Sequence, residues 1–364
     1  MNFKNSLNSK ASHLILAGTL SFALGACSSG GDGTAVVPDP TLPPVVGTGA
    51  PQIIGSVNLP DDGSGVVVSG NYAYVAADSS GLQVIDVSNR STPTIVAEQN
   101  TITAKGGVRY VDTGITQRIY MSGYLQGLHV IDVATPTAPA LPLTRNTAGL
   151  AVDVAIDPDG GTSCVADGSN GVEVFSDALS QKNVITLENV AGVAKSGDYC
   201  FATAGTTIAG GAARLYVIDV SVPLSANILT QLPFIGSPSG IVIAGDYAYI
   251  AAGDPGMYII DISNPAVPVI AGQTGALPAT GPIAVDATRM RAYLGTTDTA
   301  GFPEEGLKIV DISNAGSPAV IATADLPDST GGVFALDGYV YATTSAVFGG
   351  SATSQFHIVD VSAF

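Results

Sequence analysis

Gly65-Val66-Val67-Val68-Ser69-Gly70-Asn71-Tyr72-Ala73-Tyr74-Val75-Ala76, with Gly81-Leu82-Gln83-Val84-Ile85-Asp86-Val87-Ser88 close behind it, decides the fold. Short apolar blocks rich in Val, Ile and Tyr are broken by Ser-Gly-Asn and Ser-Gly turn signals. That is the mark of consecutive strands, not of a helix. The first phrase returns as Gly240-Ile241-Val242-Ile243-Ala244-Gly245-Asp246-Tyr247-Ala248-Tyr249-Ile250-Ala251. The second returns at 127–133, 215–221, 257–263, 306–313 and 356–362, with a degenerate copy at 171–176. Its anchors are Asp86, Asp132, Ser176, Asp219, Asp261, Asp311 and Asp360, spaced 42 to 50 residues apart. An opening glycine is read in every unit, as Gly65, Gly107, Gly149, Gly192, Gly240, Gly281 and Gly332.

Each unit therefore holds four short strands: inner, second, third and outer. Small sheets with two apolar faces cannot hide them alone, and stacking seven of them around an axis buries both. The sequence predicts an all-β fold, a seven-bladed β-propeller of four-stranded blades over residues 51–364. Glycine suits the inner strands, which crowd at the axis. A β-solenoid would favour shorter repeats and need capped ends. The seventh unit ends directly after its third strand, while Pro51–Asp61 aligns without gaps with Pro318–Asp328. The N-terminal strand is thus expected to complete the last blade and remove the exposed edges.

The phrases Leu-x-Val-Ile-Asp-Val-Ser and Tyr-Ala-Tyr-Val-Ala resemble those of the LVIVD-repeat proteins, a bacterial β-propeller family of extracytoplasmic proteins. The resemblance spans about Pro51 to Phe364 and is weakest in the third unit, where Ser176-Asp177-Ala178 departs from the pattern. WD40 and kelch patterns fit worse, since there is no Trp and no Gly-Gly pair at a fixed place in the unit.

Hydrophobic residues make up 46% of the chain and charged ones 12%, which excludes a disordered chain. The net charge of -17 argues against nucleic acid as a partner. Residues 1–26 read as a signal peptide, with a basic start and an apolar run too short for a comfortable membrane span. It ends in Leu24-Gly25-Ala26-Cys27, which resembles a bacterial lipobox and implies that Cys27 is lipidated by acyl chains such as palmitate. Residues 27–50, rich in Ser, Gly and Pro, then form a flexible tether with a reach of roughly 25 to 30 Å. Ser28 after the lipidated cysteine resembles the pattern that permits sorting to an outer membrane. Exposure to the periplasm or to the outside is not encoded.

Candidate chemistry is sparse. The repeated Asp86, Asp132, Asp219, Asp261, Asp311 and Asp360 each end a strand before turn formers, where a carboxylate accepts backbone N–H bonds and fixes the turn. His129 and His357 share a third-strand position with Gln83, Glu173, Tyr216, Tyr258 and Lys308, and that variety reads as half-exposed sheet surface. No histidine falls in the loops to support a metal centre or a Ser-His-Asp triad. Asp157, Asp159 and Asp167 lie in Gly-rich turns and are the weak candidates for calcium, although neither turn matches an EF-hand loop. Cys164 and Cys200 fall on opposite faces of neighbouring blades, giving either a cross-blade disulfide in an oxidising compartment or two small apolar fillers.

Loop topology sorts the remaining charge. Outer-to-inner and second-to-third connections share one face of the disc, which collects Asp61, Asp62, Asp78, Asp167, Asp254, Asp298, Glu304, Glu305 and Asp328 against Lys105, Arg145 and Arg214. The long insertions at 296–305 and 345–354 fall there too, and long loops on a rigid scaffold are where function usually sits. The expectation is an envelope-anchored binding or scaffold protein that offers this acidic face to a protein, a polymer or a cation. A solvated acidic rim is the plainer alternative. A propeller enzyme of hydrolase, lactonase or quinone-dependent dehydrogenase type is the other, resting on fold analogy alone.

Overall fold

The computed structural model describes residues 49–176, 182–205, 212–277, 280–296, 306–345 and 353–364. The short apolar blocks all become antiparallel strands, and the one helical element among the described residues is the 3-10 turn Pro223–Ser225. β1 (Gln52–Asn58) precedes the first blade, which comprises β2 (Gly63–Ser69), β3 (Tyr72–Ala77), β4 (Leu82–Asp86) and β5 (Thr94–Gln99). Blade 2 is β6 (Val108–Asp112), β7 (Gln117–Ser122), β8 (Leu128–Asp132) and β9 (Leu143–Arg145). Blade 3 is β10 (Asp153–Ile156), β11 (Ser163–Ala166), β12 (Val172–Phe175) and β13 (Lys182–Ile185). Blade 4 is β14 (Val190–Ser196), β15 (Tyr199–Gly205), β16 (Ala212–Asp219) and β17 (Asn227–Ile235). Blade 5 is β18 (Gly240–Ala244), β19 (Tyr247–Ala251), β20 (Met257–Asp261) and β21 (Val269–Gln273). Blade 6 is β22 (Thr280–Asp286), β23 (Arg291–Thr296), β24 (Leu307–Asp311) and β25 (Ala319–Ala324). Blade 7 is β26 (Ser329–Leu336), β27 (Tyr339–Ser345) and β28 (Gln355–Asp360), with β1 as its outer strand.

The ring therefore closes as the alignment of Pro51–Asp61 with Pro318–Asp328 predicts. β1 runs antiparallel to β28, from Gln52 opposite Asp360 to Asn58 opposite Gln355. Its register shifts between Ile53 and Gly55, and the outer strands of blades 1, 4, 5 and 6 bulge at the same point of the ladder. β1 thus repeats in detail the strand it replaces. Arg90 of blade 1 fastens the seam, stacked 4.3 Å above the Tyr339 ring and donating from Nε to the Tyr341 hydroxyl at 3.2 Å.

Packing between blades follows from the period of two. Tyr74, Leu82 and Val84 face blade 2 and meet Ile119, Met121 and Ile131, whereas Ala73, Val75 and Ile85 face blade 7 and meet Tyr341 and Ile358. The third residue of the Tyr-x-Tyr phrase supplies the bulk: Tyr74, Tyr120, Phe201, Tyr249, Tyr293 and Tyr341 are all buried. In blade 3 that place is taken by Cys164, which is joined to Cys200 of blade 4 as a disulfide with Cα atoms 6.6 Å apart. The cystine sits among Ala166, Val174, Ala202 and Ile218, between the two blades.

Register corrects two of the seven opening glycines. Val66 opposes Val75, and the matching inner residues are Val108, Val154, Val193, Ile241, Ile283 and Val333. The residues just before them ring the axis, and they are Gly65, Gly107, Asp153, Gly192, Gly240, Pro282 and Gly332. Gly149 instead lies in the loop ahead of β10, where its N–H donates to Asp167 Oδ2 at 2.6 Å. Gly281 is one residue too early. The approach to the inner strand differs in length between units, so the glycine ahead of the phrase is not always the axial residue.

The third-strand polar position is likewise not half-exposed. Gln83, His129, Glu173, Tyr258, Lys308 and His357 are all buried, and only Tyr216 is partly open. Gln83 and Glu173 reach the loops of the upper face, which is the face of the outer-to-inner connections. Gln83 Nε2 donates to Ser80 O at 2.8 Å, and Glu173 Oε1 accepts the N–H of Ala148 at 3.1 Å. Buried backbone groups in loops need partners, so a polar side chain is retained there inside the sheet stack.

Candidate functional site

Two regions gather polar groups: the loops of the upper face and the axis. On the upper face, second-to-third turns are stitched to the next outer-to-inner connection by isolated bridges such as Asp78 to Ala104 and Tyr124 to Ala151. Asp61, Asp62 and Asp78 come together there, at the seam between blades 7, 1 and 2. Asp61 Oδ2 accepts the N–H of Ser79 at 3.1 Å and also its hydroxyl, and Oδ1 accepts the N–H of Asp62 at 2.9 Å. Burial opposes its charge, but these bonds and Lys105 outweigh it and hold the carboxyl below its ordinary value. Asp62 Oδ1 accepts the Ser354 hydroxyl at 2.6 Å, and Asp78 Oδ2 pairs with Lys105 Nζ at 3.0 Å.

Asp78 sits at φ +32°, where the equivalent turns of blades 3 and 5 use Gly168 and Gly253. A left-handed turn favours glycine, and aspartate tolerates it better than most. Its side chain has a job that glycine lacks, namely holding Lys105.

Asp254 stands exposed on the blade 5 turn, away from this seam. Asp328 is buried, which withdraws it from the presented set. Asp298, Glu304 and Glu305 lie outside the described residues, as does Cys27.

The calcium candidates are split by the fold. Asp157 and Asp159 occupy the β10–β11 turn on the lower face, whereas Asp167 occupies the β11–β12 turn on the upper one. Asp157 Oδ1 holds Lys195 Nζ at 2.6 Å, and its Oδ2 accepts the N–H of Thr162 at 3.1 Å. Asp159 Oδ1 accepts the N–H of Gly161 at 2.9 Å. Among the described residues no three His, Cys, Asp or Glu side chains come together as a metal site. The repeated aspartates close turns: Asp86, Asp132, Asp219, Asp261, Asp311 and Asp360 each accept through Oδ1 the N–H two residues on, at 2.8 to 2.9 Å.

The axis carries charge among its small residues. A cavity of about 220 Å³ is lined by inner strands of all seven blades. Asp153, in the ring of glycines, takes Arg109 Nη2 of blade 2 at 3.3 Å and the N–H of Val154 at 2.8 Å on Oδ1. Its Oδ2 takes the N–H of Val193, in blade 4, at 3.0 Å. One carboxylate thus ties three blades. Burial pushes the Asp153 carboxyl above its ordinary value, against the Arg109 guanidinium and the two N–H groups. A Cβ on Gly107 would collide with Asp153 Oδ1, so that glycine makes the room. Arg109 and Asp153 were legible only through register, since neither belongs to a repeated phrase.

Comparison with known proteins agrees with this architecture. The LVIVD repeat family matches residues 62–101, 235–274 and 301–325. No curated protein matches the chain by sequence. Among solved structures, the chain is similar to the β-propeller domain of Cps50 (Swd1) from Myceliophteria thermophila, at 12% identity and TM-score 0.64, over 85% of this chain and 99% of that one. It is similar at 9% identity and TM-score 0.64 to Raptor from Chaetomium thermophilum, over 85% of this chain but 28% of that one. A functionally unknown protein from Desulfotomaculum acetoxidans matches at 15% identity and TM-score 0.57, over 75% of this chain and 94% of that one. Identities this low speak to the fold alone. The chain carries LVIVD repeats, and it is a seven-bladed β-propeller whose last blade is closed by its own N-terminal strand.

Proposed function

We propose that the chain is an envelope-anchored binding scaffold, lipidated on Cys27, that presents its acidic upper face to a basic protein or polymer surface. The observation that supports this most is the direction of β1. It enters the propeller beside Asp360, at the lower face, and runs toward the upper one. A tether arriving there leaves the upper loops turned away from the membrane and open to a partner. Asp61, Asp62 and Asp78 are spent partly on their own loops, so among the described residues the charge left to a partner is that of Asp254, and the 296–305 insertion adds Asp298, Glu304 and Glu305 by sequence. Attraction of this kind steers association and weakens with salt.

The test is co-purification from native membranes with mass spectrometry of the captured partners. Changing Asp254, Asp298, Glu304 and Glu305 to their amides is expected to lower capture at least tenfold at low salt, with an unchanged melting curve. Equal capture by the wild type and the variant would move the binding surface elsewhere. Cys27→Ser is expected to release the protein from the membrane fraction.

A further inference from the structure

The axial cavity has a chemistry of its own, independent of the upper face. The chain is strongly acidic, yet the cavity lining holds two cations, Arg109 and Lys195, against one carboxylate, Asp153. The three are not equally engaged. Asp153 is filled by Arg109 and by the N–H groups of Val154 and Val193. Lys195 has a side chain only 4% exposed and is held by Asp157 and by Gly197 O at 2.5 Å. Arg109 is the open one. Its side chain is 26% exposed, and of the five N–H groups of a guanidinium it spends two, on Val108 O at 3.0 Å and on Asp153 Oδ1 at 3.3 Å. Three are not engaged, on a side chain that lines the cavity.

The other walls are apolar and asymmetric. At the Arg109 register the remaining blades place Val67, Ala155, Ala194, Val242, Ala284 and Phe334. The three alanines, in blades 3, 4 and 6, are small at this level, while Phe334 and Val242 stay only partly covered. Drug-sized ligands occupy pockets of roughly 300 to 1,000 Å³, so a cavity of about 220 Å³ takes something smaller. A planar two-pronged donor beside apolar walls matches a carboxylate on a compact hydrocarbon.

We propose that the axial cavity binds a small organic monocarboxylate, its head on the remaining N–H groups of Arg109 and its body against Val242, Ala284 and Phe334. A cation is disfavoured because the oxygens of Asp153 are taken. A polyanion is disfavoured because one open guanidinium faces it among apolar walls.

Titration calorimetry of the full chain with benzoate and with hexanoate tests this, with benzylamine and benzamide as the cationic and neutral counterparts. Both carboxylates are expected to bind one per chain and to compete, with the amine and the amide at least tenfold weaker. Arg109→Met should weaken benzoate at least tenfold. Val242→Phe fills the cavity without touching the ion pair, and it should abolish binding while leaving the melting curve in place. If Arg109→Met fails to fold, Val242→Phe decides alone. The proposal is overturned if neither carboxylate binds at millimolar concentration, if benzylamine binds as well as benzoate, or if Val242→Phe binds benzoate like the wild type.

Discussion

His129 and His357 show what the blade interface demands of a single side chain. Nδ1 of His129 shares a hydrogen bond with Thr144 Oγ1 at 2.8 Å, and His357 sits between Ser56 Oγ at 2.8 Å and Thr344 Oγ1 at 3.2 Å. Burial drives both rings down to about 4 from an ordinary 6.5. The folded value lies below the unfolded one, so the neutral ring is the form that the fold accepts. Stability is therefore full above pH 6.5, drains as the pH falls toward 4, and levels off below it. A shift of this size is worth about 3 kcal/mol per ring. Glutamine already serves the same place as Gln83, so His129→Gln with His357→Gln should fold and lose much less stability between pH 7 and pH 4.5. Urea unfolding at the two values checks it, and an equal loss in both proteins would rule the histidines out. The sequence shows these seven positions as a varied polar series, and variety alone reads as exposure. Burial there comes from strands and loops that are mostly distant in sequence, as with Ser56 beside His357 and Ala148 beside Glu173, which no local pattern announces. The repeated aspartates are the opposite case, legible because carboxylate, turn and N–H lie within three consecutive residues.

At the scale of elements, blade 3 departs most from the repeat. Its strands have four residues each, Ser176 stands where the other units have Asp, and Cys164 replaces the aromatic that the other six blades bury. The Cys164–Cys200 bond spans the gap that the smaller side chain leaves toward blade 4. Closing a loop of 36 residues' separation is worth about 3 to 4 kcal/mol through the unfolded chain. Reduction is expected to lower the urea midpoint of the wild type and to leave a Cys164→Ser, Cys200→Ser variant unmoved. A wild type indifferent to reductant would mean that the bond adds nothing. Aligning units three and four puts the two cysteines on opposite faces of neighbouring blades, because strand phase transfers from blade to blade, and the structure turns those faces toward each other. The phase of the inner strands did not transfer so simply, and Asp153 was overlooked where Gly149 offered a glycine four residues too early. The acidic loops are legible as to face, since connection type fixes it. Their engagements are not, because Asp61 meets Ser79 from 18 residues away and Asp62 meets Ser354 from 292.

For the molecule as a whole, closure is the decisive contact. Without β1, blade 7 would expose the edge of β28, and Ile54, Val57 and Leu59 would leave the cluster they share with Val66, Ile85 and Phe356. Unpaired edges of this kind invite pairing with other chains. Deleting Pro51–Leu59 is expected to lower the melting temperature markedly and promote aggregation, and a synthetic peptide of residues 51–61 added in trans should restore part of the loss. A melting curve unchanged by the deletion would contradict the closure. The same strand has a mechanical meaning. The chain enters it at Gly49, against Ala363, and passes at once into the pair of Gln52 with Asp360. Any pull on the residues ahead of Gly49 is therefore carried first by the hydrogen bonds of β1 to β28, and only through them by the ring. The load point and the clasp of the circle are one ladder, so a force sufficient to strip β1 would open blade 7 before any other blade bears strain.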